Sequence, residues 1–169
     1  DRTCARGRIS AEGCLSARNA GVRLVLSTGE MSVLNAVILG GGVDSRLEGW
    51  YSGPSKGLIP VCGKPSVQHV LEAVRATPGV ENVALVGPPP LIEHPAARLA
   101  DARLPQESGI LGKLLAATHA MGVERRLLMV TCDIPLVTPE SLAEVIEDCP
   151  DDCAFFHPLV EKSAAVSDF

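Results

Sequence analysis

The sequence is poor in aromatic residues and has no long apolar run. Phe, Tyr and Trp together make up 3% of its 169 residues, although hydrophobic residues make up 46%. This composition is typical of a single α/β domain whose core consists of Val, Leu and Ala, and the length is sufficient to bury such a core. No stretch approaches the roughly 18 apolar residues of a membrane span, so we expect no membrane partner.

An excess of positive charge is also missing. The formal net charge is −5, and no basic stripe offsets it, which argues against nucleic acid as a partner. Residues 1–30 carry five Arg against three acidic residues, so they are +2 and the remainder is −7. Because this segment has little hydrophobic periodicity, we expect residues 1–30 to be a disordered or artefactual extension and residues 31–169 to form the domain.

The six cysteines include no Cys-x-x-Cys pair. A structural zinc site built on such pairs is therefore not indicated. We expect reduced thiols and a cytoplasmic location, with three disulfides as the alternative.

Three consecutive glycines follow a short apolar run. The run from Ala36 to Leu39 predicts a buried strand, because it is continuous and too brief for a helix. Gly40, Gly41 and Gly42 have no Cβ, so backbone N–H groups can approach a phosphate closely. Arg46 and Lys56 could supply cations for this anion. A tight turn without a ligand is the alternative.

Two common nucleotide motifs do not fit these glycines. A P-loop needs Gly-Lys followed by Ser or Thr, but Gly63-Lys64 is followed by Pro65 and Gly112-Lys113 by Leu114. A dinucleotide fingerprint starting at Gly40 would need its last glycine where Ser45 stands.

A second candidate site follows the strand predicted from Leu127 to Thr131. This strand would bring Asp133 to the carboxyl edge of a parallel sheet. Mg²⁺ prefers oxygen ligands, commonly one or two carboxylates together with substrate phosphates. Asp133 is therefore a candidate metal ligand, and capping of a turn is the alternative.

These segments together resemble the signature of the nucleotidyltransferase superfamily, which includes sugar-phosphate nucleotidyltransferases and molybdenum-cofactor guanylyltransferases. The matching segments are Leu39 to Leu47, Pro54 to Pro65 and Thr131 to Glu140. Asp44 and Cys132 depart from the pattern, since each stands where the family usually has Gly.

The resemblance implies a Rossmann-like three-layer α/β/α fold with a mostly parallel sheet, of the nucleotide-diphospho-sugar transferase type, truncated at the C-terminus. It implies transfer of a nucleoside monophosphate from a nucleoside triphosphate to a small phosphorylated or hydroxyl acceptor, with release of pyrophosphate. Mg²⁺ or Mn²⁺ would be the cofactor. The implied residues are Arg46 and Lys56 for catalysis, Asp133 for the metal, and Leu39, Gly40, Gly41, Gly42, Lys56 and Gln106 for the nucleotide.

The remaining pattern predicts alternating strands and helices. After Pro65, a helix should bury Val67, Val70, Leu71 and Val74, with His69 as a surface or packing residue. A strand from Val80 to Val86 should lead into a stiff loop at Pro88 to Pro90.

The second half of the pattern begins with a loop from Leu104 to Gly109. It should precede a helix with Leu111, Leu114, Leu115 and Thr118 on one side, where Lys113 is read as a solvated charge. Asp151-Asp152 fits a turn better than a metal pair, and a last strand is expected from Cys153 to His157.

Three functional classes stay open at this point. A nucleotidyltransferase is favoured by the two spaced motifs. A degenerate homologue that binds nucleotide without catalysis is the main alternative, because Asp44 places a carboxylate in the proposed phosphate loop. A scaffold domain without a ligand is the third.

Overall fold

A parallel four-stranded sheet organises the part of the chain that the computed structural model describes, namely residues 34–41, 47, 49–106, 109–121, 126–150 and 156. The strands are β1 (Leu34–Leu39), β4 (Val80–Gly87), β5 (Ala102–Pro105) and β6 (Leu127–Thr131), in the order β5-β4-β1-β6. All three pairings are parallel, so the carboxyl ends of the strands share one edge.

The other described elements connect these strands. They are a 3₁₀ helix at Lys56–Leu58, β2 (Pro60–Val61), β3 (Lys64–Pro65), α1 (Ser66–Ala76), α2 (Pro89–Ile92), a 3₁₀ helix at Pro95–Leu99, α3 (Gly109–Met121) and α4 (Pro139–Asp148). None of the described helices has both the length and the apolar content of a membrane span.

Each face of the sheet has its own apolar core. On one face, Ile38 and Leu85 pack with Val67, Val70 and Leu71 of α1. The other core lies under α3 and contains Val37, Leu39, Val86 and Ala117. Both faces of the parallel strands are thus covered, which explains their continuous apolar sequences. The expected three-layer α/β fold is confirmed.

The described residues fall into two compact units, those within 27–143 and those from Glu144 onward. The sheet and every residue of the site below belong to the first unit. Of the second, the structure describes the end of α4, the two residues that follow it and Phe156.

Several sequence expectations are confirmed in detail. The predicted strand at Leu127 to Thr131 coincides with β6, and α1 buries the four predicted side chains. His69 has the expected packing role, because its Nε2 lies 2.8 Å from the carbonyl oxygen of Val61 and so ties α1 to the β2–β3 hairpin.

Three expectations are wrong. The segment at Pro88 to Pro90 is not an irregular loop, because Pro89 begins α2, where a missing N–H costs no helical hydrogen bond. Leu104 and Pro105 belong to β5. On α3, Leu115 is 55% exposed whereas Ala117 is buried, so the buried face of this helix differs from the predicted one.

Candidate functional site

The site lies at the carboxyl edge of the sheet, where β1 ends between β4 and β6. Leu39 is in register with Val86 on one side and with Thr131 on the other. The residues that follow these three strands therefore lie close together at the carboxyl edge of the sheet. Leu39 itself is 8% exposed, which places its side chain in the core beneath the glycines.

Gly40 fits only without a side chain. A Cβ at this position would collide with Leu91 Cδ2 and would lie 2.9 Å from the carbonyl oxygen of Val86. The Gly40 N–H also donates to that oxygen, at 2.6 Å. Gly41 is different, because among the described residues a Cβ there would meet only Lys56 Cε, at 3.9 Å. Gly40 is thus tightly packed, whereas Gly41 has space beside the Lys56 side chain.

A buried serine fixes the loop to the segment that carries Lys56. Ser55 is fully buried, and its Oγ donates to the carbonyl oxygen of Gly41 at 2.8 Å. The same Oγ accepts from the N–H of Gly57 at 3.3 Å and so caps the 3₁₀ helix. Ser55 was not predicted as a site residue. A Ser directly before the short Lys56–Leu58 turn was the available signal.

Cys132 fills the space below this segment. A Cβ on Gly57 would lie 3.0 Å from Cys132 Sγ, so the two residues are in close contact. The Cys132 N–H donates to the carbonyl oxygen of Leu39 at 3.1 Å, and its own carbonyl accepts from Ser66 Oγ at 2.8 Å. Burial raises the pKa of the Cys132 thiol. Cys132 is therefore a packing residue that holds the start of the Asp133 turn.

Lys56 and Asp133 form an ion pair at the top of the edge. Lys56 Nζ lies 2.9 Å from Asp133 Oδ2, and their side chains are 29% and 37% exposed. The hydrogen bond from Lys56 lowers the pKa of Asp133, partial burial opposes this, and a hydrogen bond from Thr131 adds to the lowering. With its pKa below the usual value, Asp133 is a carboxylate at neutral pH. The contact brings together two of the residues that the sequence analysis named as site residues.

The donor set at this edge fits a magnesium ion that is only partly held by protein. Among the described residues, no three His, Cys, Asp or Glu side chains are grouped to hold a metal ion. Asp133 is the carboxylate that the sequence predicts at this edge. Mg²⁺ commonly binds to one or two carboxylates and takes its other ligands from substrate phosphates and water. Asp133 would hold Mg²⁺ or Mn²⁺ in this manner, with the phosphates completing the coordination.

The other predicted site residues lie elsewhere or outside the described residues. Gln106 is exposed and directly follows β5. Its strand is three strand spacings from β6, which is about 14 Å, so Gln106 and Asp133 mark opposite ends of the edge. Gly42, Asp44 and Arg46 lie outside the described residues, as do Asp151-Asp152 and most of the segment from Cys153 to His157.

A second lysine reaches the glycine loop and was not predicted to do so. Lys113 Nζ, on α3, lies 3.5 Å from the carbonyl oxygen of Gly40. The earlier interpretation of Lys113 as a solvated charge is therefore wrong.

A parallel sheet with a glycine loop, a lysine and an aspartate at its carboxyl edge defines a nucleotide-binding type of α/β domain. Residues 36–163 match the family described as MobA-like NTP transferase domain. The chain belongs to this family, and the resemblance found in the sequence is confirmed.

Individual relatives agree with the family match. The chain is 31% identical over 121 residues to the bifunctional protein GlmU of Rhodospirillum rubrum. This alignment covers 69% of the chain and 26% of that protein. It is 31% identical over 139 residues to a probable molybdenum cofactor guanylyltransferase of Flavobacterium johnsoniae, covering 77% of the chain and 68% of that protein.

Among solved structures, a hypothetical transferase from Thermus thermophilus is similar, with 33% identity and a TM-score of 0.54, covering 69% of this chain and 47% of that one. The chain spans about a quarter of the length of the GlmU relatives that it matches.

Proposed function

We propose that residues 31–169 form the nucleotide-binding part of a nucleotidyltransferase. The reaction transfers a nucleoside monophosphate from a nucleoside triphosphate to a small phosphorylated or hydroxyl acceptor and releases pyrophosphate. The activity depends on Mg²⁺, for which Mn²⁺ can substitute, and it takes place in the cytoplasm. The observation that carries this proposal is the contact between Lys56 and Asp133 beside Gly41, because it brings an ammonium and a carboxylate together next to the glycines that follow β1.

The loop provides space and backbone rather than side chains. The tight packing of Gly40 against Leu91 and β4 fixes where the backbone leaves the sheet. At Gly41, space beside the Lys56 side chain leaves room for a phosphate group. Ser55 fixes the position of Lys56 relative to this backbone, since its hydroxyl forms hydrogen bonds with both Gly41 and Gly57.

Charge at the edge would then direct the reaction. Lys56 neutralises negative charge on the phosphate oxygens and on the departing pyrophosphate, and Arg46 is proposed to assist it. Bound at Asp133, Mg²⁺ supplies Lewis acidity and a template that orients phosphate oxygens. Such catalysis depends on positioning and electrostatics, so the chain needs no nucleophile of its own. The buried thiol of Cys132, whose pKa is raised, accordingly has no part in bond formation.

Gln106 lies at the far end of the edge, which is the position proposed for the nucleotide base. A nucleotide lying across the strand ends would reach Gln106 with its base and Asp133 with its phosphates. The guanylyltransferase relative makes GTP the first triphosphate to test.

The direct test is pyrophosphate release from each common nucleoside triphosphate with Mg²⁺ and candidate acceptors. Asp133→Asn should abolish release while the thermal unfolding temperature stays close to that of the wild type, because Asp133 is partly exposed. Lys64→Met is the matched control, since Lys64 pairs with Glu72 on the surface of α1 at 3.0 Å. Turnover retained in Asp133→Asn would contradict the assignment.

A nucleotide-binding homologue without catalysis is the second candidate. It is favoured by Asp44, which stands where the superfamily pattern has Gly and adds negative charge to a loop proposed to hold phosphates. Calorimetric binding of a triphosphate without pyrophosphate release, together with recovered release in Asp44→Gly, would identify this state.

A further inference from the structure

Two ammonium groups reach the same glycine loop from opposite faces of the sheet. Lys56 comes from the α1 side, where the neighbouring Leu58 packs against the core beneath that helix. Lys113 comes from α3 on the other side, where the neighbouring Leu114 packs against the second core. Gly40 and Gly41, which follow β1, therefore have an ammonium group on each side.

The two lysines differ in how their charge is compensated. Lys56 is paired with Asp133 at 2.9 Å. The ion pairs among the described residues do not include Lys113. Its recorded contact, with the carbonyl oxygen of Gly40, is 3.5 Å long, which is beyond the usual length of an N–H···O hydrogen bond. An ammonium has three N–H donors and no acceptor, so this contact leaves donor capacity for another oxygen.

We propose that Lys113 binds a phosphate oxygen of the nucleotide, from the α3 face of the sheet. This inference rests on the proposed function, because it assigns a further ligand to the same site. The Lys113 side chain is half-buried at the head of the loop. An anionic oxygen there forms a shorter and stronger charge-assisted bond than the Gly40 carbonyl does. Because no described carboxylate compensates Lys113, it contributes positive charge that the Lys56–Asp133 pair does not.

The alternative ligand of Lys113 would be the base. As a donor only, an ammonium would favour bases with a carbonyl on the recognised edge. The position argues for phosphate, because Gly40 directly follows β1 and β6 with Asp133 is the adjacent strand, whereas Gln106 lies two strands away in the other direction.

Calorimetric titration with inorganic tripolyphosphate and Mg²⁺ separates these ligands, because this probe has no base. Lys113→Met should weaken tripolyphosphate binding by about tenfold, as expected for one hydrogen bond to a charged group. Lys113→Arg should keep most of the affinity. Lys64→Met, which removes the same charge from β3, where Lys64 pairs with Glu72 of α1, should leave the affinity unchanged.

Three results would overturn the proposal. The first is tripolyphosphate affinity that is equal in wild type and Lys113→Met. The second is a loss confined to nucleoside triphosphates, which would assign Lys113 to the base. The third is a lack of tripolyphosphate binding by the wild type. The proposed function fails by a different criterion, namely no binding of any nucleoside triphosphate and no pyrophosphate release by the wild type.

Discussion

Removing Lys56 should make the nucleotide-free protein bind a divalent metal ion more tightly. Lys56 Nζ forms an ion pair with Asp133 Oδ2 at 2.9 Å. A metal ion that binds this carboxylate must therefore displace the ammonium group. In the presence of a triphosphate the exchange is compensated, because the phosphates accept both the metal ion and Lys56. Without a nucleotide the ammonium and the metal ion compete, so Lys56→Met removes the competitor and leaves the carboxylate.

The size of the effect follows from the exposure of the pair. Both side chains are about one-third exposed, so the pair resembles a surface ion pair more than a buried one. Such pairs contribute up to about 1 kcal/mol, which corresponds to about a fivefold change in affinity. We therefore expect Lys56→Met to strengthen Mn²⁺ binding by about fivefold in the free protein and to weaken tripolyphosphate binding.

The assay is a titration with Mn²⁺ in which electron paramagnetic resonance reports the free ion. Lys64→Met serves as the charge control, because Lys64 is exposed and paired with Glu72 at 3.0 Å. At 0.1 M salt, where the Debye length is about 10 Å and exposed charges are screened, it should leave Mn²⁺ affinity unchanged. Asp133→Asn should remove the binding. Equal or weaker Mn²⁺ binding in Lys56→Met, with an unchanged thermal unfolding temperature, would refute the competition between ammonium and metal.

Two further predictions concern the backbone near the site. Gly40→Ala should lower the free energy of unfolding by about 1 to 3 kcal/mol through overpacking against Leu91. Gly41→Ala should leave the free energy of unfolding nearly unchanged. Denaturant titration measures both variants, and equal effects would contradict the packing argument. Cys62 has a φ of 47° beside Gly63 at 80° in the β2–β3 turn, and Asn tolerates such angles best among residues with side chains. Cys62→Asn should therefore raise the free energy of unfolding by about 0.5 to 1 kcal/mol, and a lower value would count against strain at Cys62.

The strands β1 and β6 could be predicted because their sequences are decisive. β1 and β6 are continuous apolar runs with side chains packed against both cores, and such runs are typical of buried parallel strands. β5 was missed because Ala102–Pro105 is short, partly exposed and ends in Pro105. A strand that pairs on only one side within the described sheet tolerates this composition. α2 was missed because three consecutive prolines usually interrupt a helix. Proline is tolerated in the first turn, but the sequence does not show that the helix begins at Pro89.

The position of Asp133 at the carboxyl edge could be predicted because it depends on topology alone. Asp133 follows β6, and the carboxyl ends of parallel strands share an edge, whereas Lys56 lies in the 3₁₀ helix between β1 and β2. The role of Ser55 depends instead on the exact path of the loop, which no sequence period encodes. Its two hydrogen bonds join Gly41 and Gly57 across 16 positions of the chain.

Lys113 was misread because the rotation of α3 was predicted incorrectly. The expected stripe of Leu111, Leu114, Leu115 and Thr118 would have turned Lys113 away from the sheet. In the structure, α3 instead packs on the core of its sheet face through Leu114, Ala117 and Met121. Because residues four apart share a helix face, Lys113 lies one turn from Ala117 on that same face, toward the carboxyl edge. Ala117 contributes little to a hydrophobicity pattern, yet it is on the buried face of α3. The rotation of α3 that buries Ala117 also brings Lys113 to Gly40.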